Sequence, residues 1–157
     1  MIVYQLRGKG VHFSHNNSVI LLASGQEKFD DLFKAIDQAK SSIHLEYFNF
    51  RNDSINEELV RHLAAKAKEG VEVRAVFDGF GNASNNRPMK KRHLKAIREK
   101  GIEIHEFKPM EFPWLHDIFN RDHRKIVVID GKVAYTGGMN VADYYINGTE
   151  VAGSWHD

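Results

Sequence analysis

Apolar residues in this chain recur at two different periods, and the switches between them outline a fold. Phe29, Leu32, Phe33 and Ile36 fall at helical spacing and predict an amphipathic helix running to about Lys40. Ser24 followed by Glu27 is a capping pair that opens such a helix, because each side chain satisfies an otherwise orphaned amide. Leu59, Leu63 and Ala67 make a second stripe, with Asp53 or Ser54 as its cap, Ser54 and Glu57 as another capping pair and Gly70 as its stop. A third helix is predicted around Leu94 and Ile97, with Pro88 in its first turn and Gly101 at its end. Residues 19–23, 43–50, 71–77, 102–107, 125–129 and 132–136 are rich in β-branched and aromatic side chains and predict strands. Asp130-Gly131 between the last two is a strong hairpin signal. Residues 78–86 and 108–120, rich in Gly and Asn or holding Pro109 and Pro113, are expected to be loops. The alternation of strand and helix, followed by a hairpin and a helix, predicts an α/β fold. Its sheet is mixed and mostly parallel, with helices on both faces. Residues 1–17 are expected as a polar leader and residues 18–157 as one domain.

Composition narrows the classes without naming one. A chain of 157 residues suffices for one domain with a real core. The formal charge of +1 does not announce a polyanion partner for the surface as a whole. Cysteine is absent, which removes disulfides and thiolate metal sites. No apolar run approaches the roughly 18–20 residues of a membrane span. Of nine histidines, the closest pairs, His12/His15 and His116/His123, lack the carboxylate or cysteine set that a zinc site needs. No metal or cofactor is expected.

The chemistry concentrates in residues 123–140. His123 and Lys125 stand two residues apart, Asp130 follows, and Gly137-Gly138-Met139-Asn140 comes after it, giving H-x-K-x4-D-x6-G-G-x-N. On a strand, His123 and Lys125 would share one face, roughly 7 Å apart. Such a pair offers a nucleophile or proton carrier beside a fixed positive charge. Lys125 suits the equatorial oxygens of a phosphoryl transition state. Asn140 can donate an amide to the same phosphate or act as an ordinary helix N-cap. Gly137 and Gly138 permit close backbone approach. Asp130 is either part of the catalytic group or a turn former favoured for conformational reasons. A separate carboxylate should orient the histidine, and Glu46, mid-strand where a carboxylate needs a partner, is one candidate.

With those residues in place, the motif resembles the signature of the phospholipase D superfamily. The stretches 42–48, 70–74, 78–81 and 120–125 and the terminal Trp155-His156-Asp157 resemble the first catalytic half of bacterial cardiolipin synthases. The resemblance implies a phospholipase D-type phosphatidyltransferase that moves a phosphatidyl group between phospholipids through a phosphohistidine intermediate, with His123 as the nucleophile or its acid–base counterpart. It assigns Lys125, Gly138 and Asn140 to the phosphate and suggests Asp157 as the histidine-orienting carboxylate. It also implies an anionic phospholipid substrate, a cytoplasmic membrane location for the full protein, and chemistry without a metal. Glycine at position 138, where serine is frequent in the superfamily, removes one hydroxyl donor and shifts the phosphate contacts toward Lys125 and Asn140.

The superfamily's site combines two such motifs, and this chain carries one. A second half is therefore expected, either in the same polypeptide after a truncation near Asp157 or from a second copy. The lone monomer is expected to be nearly inactive. The alternative reading is a homodimeric phosphodiesterase or nuclease with the same core; a non-catalytic lipid-binding half is a further one. Residues 87–100 are strongly basic and suit anionic headgroups, nucleic-acid phosphates or simply solvent. Phe112-Pro113-Trp114-Leu115 suits a membrane interface, a core cover or contact with the second half.

Overall fold

The computed structural model describes residues 2–10, 16–110, 119–149, 153 and 155. His12, His15, the segment 112–115, His116 and Asp157 lie outside them. The chain begins with α1 (Ile2–Gly8) and α2 (Gly25–Gln38), followed by β1 (Ser42–Tyr47) and α3 (Ser54–Lys68). Then come β2 (Glu72–Asp78), α4 (Gly79–Ser84), α5 (Lys91–Arg98) and β3 (Glu103–Phe107). The described elements close with β4 (Lys125–Ile129), β5 (Val133–Thr136) and α6 (Tyr144–Asn147).

The sheet has the order β3-β2-β1-β4-β5. β1, β2 and β3 are parallel, whereas β4 runs antiparallel to both β1 and β5. The α/β class and mixed sheet match the sequence expectation. Residues 19–23 do not form the expected strand: Val19 is 91% exposed and no strand pairing involves them among the described residues. Their β propensity is real, but a strand exists only where a neighbour completes its ladder.

Alternation sorts each strand's side chains. Ile43, Leu45 and Tyr47 of β1, Val73, Ala75 and Phe77 of β2, Ile104 of β3, and Val127 and Ile129 of β4 are buried in one cluster. The register confirms one face, since Leu45 stands opposite Ala75 and Val127, and Ala75 opposite Ile104. Phe29, Leu32 and Ile36 of α2, Leu59 and Leu63 of α3, and Leu94 and Ile97 of α5 complete that cluster. Sequence suggests helices on both faces, yet α2, α3 and α5 all contribute to this one. The opposite face carries half-exposed Val76, Ile126 and Val128. Truncating Phe29, which is 0% exposed, costs about 3–5 kcal/mol.

Two helix starts follow different rules. α2 is capped locally: Ser24 Oγ accepts the Glu27 N–H at 3.2 Å, and Glu27 accepts the Ala23 N–H at 2.9 Å. At α3, Asp53 occupies the N-cap position but makes no side-chain cap bond. Its place is taken by Asp143, which accepts from Ser54 N at 3.3 Å and Ile55 N at 2.7 Å. Asp53 in turn accepts the Asp143 N–H at 2.9 Å. This exchange ties the chain after Asn140 to the connection after β1.

Candidate functional site

The C-terminal ends of β1 and β2 and the N-terminal end of β4 share one edge of the sheet, since Tyr47 stands opposite both Phe77 and Lys125. Lys125 is the first residue of β4 and only 7% exposed. Its Nζ donates to the His123 carbonyl at 2.6 Å and lies 5.3 Å from the centre of the Phe48 ring. The His123 ring stands 4.7 Å from the same Phe48 ring, at 59°. The two motif side chains therefore both lie against the Phe48 ring. The expected strand placement is half right, because His123 precedes β4 and is exposed. Their shared neighbour is Phe48, which the motif does not contain. A carbonyl acceptor and a ring face offset the cost of burying the ammonium.

Phe48 is held from behind by Gly81 of α4. A Cβ at position 81 would fall 2.0 Å from the Phe48 carbonyl oxygen, so only glycine permits this approach. Sequence alone marks residues 78–86 as a loop. The short helix α4 arises because Asp78, 0% exposed, caps it through Oδ1 at 2.8 Å from Phe80 N and 3.1 Å from Gly81 N. Asp78 Oδ2 also accepts the Asp122 N–H at 2.9 Å, and Arg121 Nη1 lies 3.6 Å from Oδ1. One buried carboxylate thus fixes both the Phe48 support and the turn that presents His123.

The G-G-M-N segment reaches the same edge. Asn140 is 7% exposed; its Oδ1 accepts the Asn49 N–H at 3.1 Å and its Nδ2 donates to the Tyr145 hydroxyl at 3.0 Å. The amide carries a second hydrogen. Val141 N donates to Asn49 O at 3.2 Å and Arg51 N to Val141 O at 3.0 Å, stitching the segment beside Phe48. Asn140 is not the N-cap of α6, a position held by Asp143. Gly138 is exposed in the bend before Met139. Lys28 of α2 donates to the Met139 carbonyl at 2.9 Å and lies 5.2 Å from the Tyr47 ring. It brings a second ammonium that no sequence signal indicates, since 111 residues separate the partners. Trp155 packs on Tyr145 with ring centres 5.0 Å apart.

Glu46 lies on the sheet's other face. Its carboxyl meets Arg124 Nη1 at 3.4 Å. A hydrogen bond to Asp122, then burial, raise its pKa above the ordinary carboxyl range. Glu46, Asp122 and His123 line a cavity of about 510 Å³, but among the described residues no hydrogen bond joins Glu46 to His123. Its partners are Asp122 and Arg124.

Asp130 is not brought to this edge. It lies beyond the opposite end of β4, in the turn to β5. Its Oδ1 accepts from Ser41 N at 2.7 Å, Ser41 Oγ at 2.9 Å and Ser42 N at 3.0 Å, and its Oδ2 from Lys40 N at 2.9 Å. Those backbone bonds hold its pKa far below the usual carboxylate range. Asp130 and Gly131 have φ values of 53° and 63°, the paired positive angles of a type I′ turn. This carboxylate closes the start of β1, and its geometry corrects the assignment to the catalytic group.

Comparison with known proteins identifies the family and the fold. The family described as cardiolipin synthase, PLD-like domain, matches residues 32–149. Cardiolipin synthase 2 of Staphylococcus epidermidis is 37% identical over 158 aligned positions, covering 100% of this chain and 32% of that protein. Cardiolipin synthase 1 of Bacillus cereus is 40% identical over 138, covering 87% of this chain and 26% of that protein. The chain thus spans about a third or less of the length of these relatives. Among solved structures, the phospholipase D family member Nuc of Salmonella typhimurium superposes with TM-score 0.60 at 23% identity, covering 84% of this chain and 77% of that one. NucT of Helicobacter pylori gives TM-score 0.57 at 18% identity, covering 80% and 76%. These two share the fold. On the family match and the identity to the synthases, this chain belongs to the cardiolipin synthase family of PLD-like domains.

Proposed function

We propose that this chain forms one half of a phosphatidyl-transfer site, with His123 as its nucleophile or acid–base histidine. The observation that carries the reading is the packing of both His123 and Lys125 against Phe48, next to the Asn49–Asn140 pair. In the nucleophile role, an imidazole nitrogen of His123 attacks phosphorus as the bond to the leaving alcohol breaks. The alcohol takes its proton from the acid of a second motif. The hydroxyl of a second lipid then attacks phosphorus, that same group takes its proton, and the P–N bond breaks. Lys125 neutralises the equatorial oxygens, and the second amide hydrogen of Asn140 points the phosphate toward the histidine. Asp157 remains the carboxylate proposed to orient His123. Its support is the Trp-His-Asp resemblance and the packing of Trp155 on Tyr145 beside Asn140. Glu46 is the weaker proposal, because its own partners are Asp122 and Arg124. The second motif comes from further polypeptide or from another copy.

A diester with a 4-nitrophenolate leaving group tests the half site, because that group departs without an acid. Bis(4-nitrophenyl) phosphate should release one nitrophenolate and leave the 4-nitrophenyl phosphoryl group bound to the chain, and His123→Ala should abolish both. Equal release by His123→Ala removes that residue from the chemistry. Protection by phosphatidylglycerol micelles supports the lipid substrate. Protection by an oligonucleotide instead favours the nuclease reading.

A further inference from the structure

A run of positive charge that the phosphoryl site does not use begins at the same edge of the sheet. Seven of the chain's 22 Lys and Arg residues lie within residues 87–100, against one, Glu99, of its 21 Asp and Glu. That segment is net +6 and the other residues together net −5. All seven cations are exposed. Among the described residues only Lys95 has a carboxylate within salt-bridge distance, Glu99 at 3.9 Å, while Arg98 donates to the Ile104 carbonyl at 2.7 and 3.0 Å. Elsewhere several cations are paired: Arg74 with Glu72 and Glu103, Arg61 with Glu58, Lys66 with Glu69.

The placement of the charge also runs against helix formation. Lys90 is the N-cap of α5, Lys91 and Arg92 fill its first turn, and no acidic residue is there. Cations at a helix N-terminus oppose the backbone dipole, so a solvated outer face would be better served by Asp or Glu. His93 shows the local field: burial and then the charges of Arg92 and Lys90 lower its pKa. The segment starts beside the site. Asn85 Nδ2 donates to Asn49 Oδ1 at 3.0 Å and Asn52 N to Arg87 O at 2.9 Å. Asn49 in turn holds Asn140. Phe80 of α4, 37% exposed, adds an apolar ring at this edge.

We propose that Arg87, Lys90, Lys91 and Arg92 seat the protein on an anionic phospholipid surface, with the His123–Lys125 edge facing the bilayer. Recognition is by charge alone. Residues 87–100 contain no Phe, Tyr or Trp on which a nucleobase would stack, whereas clustered Lys and Arg on a helix suit an anionic leaflet. The choice of a lipid surface rests on the proposed function.

The test uses cosedimentation with vesicles of phosphatidylcholine alone or mixed with phosphatidylserine, performed on the His123→Ala chain so that no turnover intervenes. The chain should bind only the anionic vesicles, less tightly as salt rises. Replacing Arg87, Lys90, Lys91 and Arg92 together by Gln should weaken binding roughly fivefold per charge removed. A control replacing Lys34, Lys40, Lys68 and Lys132 by Gln, equal in net charge, should keep most of it. Lys91→Glu should weaken binding while raising Tm, the reverse of a merely structural role. Equal losses in both quadruple variants, or binding to neutral vesicles, would overturn the proposal. So would displacement from vesicles by duplex DNA at equal phosphate. Failed vesicle binding with an intact nitrophenolate burst defeats this surface alone; the converse defeats the proposed chemistry alone.

Discussion

The two ends of β4 carry residues of one sequence motif and do opposite work. At its N-terminal end His123 stays exposed, and Lys125 is sequestered on Phe48 with its charge facing backbone and ring. Beyond its C-terminal end Asp130 has its carboxylate filled by three backbone amides and a hydroxyl. A motif records what must be kept together in sequence, and the reasons differ from residue to residue. The proposed chemistry would account for the first end, and chain closure accounts for the second.

Substitutions at each end can break this contrast. His123→Ala should have the largest effect, reducing the nitrophenolate burst roughly 10⁴-fold or more, with Tm unchanged; a burst that survives removes the contrast. Lys125→Met should slow the burst about 10²–10³-fold. Tm should hold or rise, because a buried charge is replaced by an apolar chain of similar length. Asp130→Asn should do the reverse, lowering Tm while leaving the burst intact at temperatures where the chain is folded. Asparagine tolerates the positive φ but loses the charged acceptor. The folded pKa of Asp130 is depressed, so its stabilisation is complete above the unfolded value near 4 and is lost as pH falls below it. Acid unfolding of Asp130→Asn should therefore show a shallower pH dependence. The smallest effect is expected at Glu46, whose pKa is raised by its bond to Asp122. Its contribution is present below the unfolded pKa and fades as pH rises through the folded one. Glu46→Gln should thus raise Tm slightly at neutral pH and not in acid, and an unchanged pH profile would count against the raised pKa of Glu46.

Much of this architecture was legible before any coordinates. The apolar stripes of α2 and α3, the Ser24–Glu27 cap, the Gly70 and Gly101 stops and the Asp130-Gly131 turn are local signals, and the structure honours them. Misreadings fall where a partner lies far along the chain. Residues 19–23 have strand composition but no ladder. α3 begins at its expected place, yet its cap comes from Asp143, 88 and 89 residues away. α4 looked like a loop because its Gly and Asn composition obscured a local cap, Asp78, while its glycine contact with Phe48 becomes meaningful only in three dimensions.

The candidate site divides in the same way. Residue type and spacing in sequence selected His123, Lys125 and Asn140, because few side chains can attack, charge-stabilise or orient a phosphodiester. Tertiary structure alone decided that His123 and Lys125 share Phe48 as a neighbour, that Asp78 props the histidine turn, that Lys28 reaches the glycine segment, and that Asp130 stays away. Local order is written in neighbouring residues through hydrogen bonding and periodicity. The environment of a charge depends on which distant chain comes to bury it.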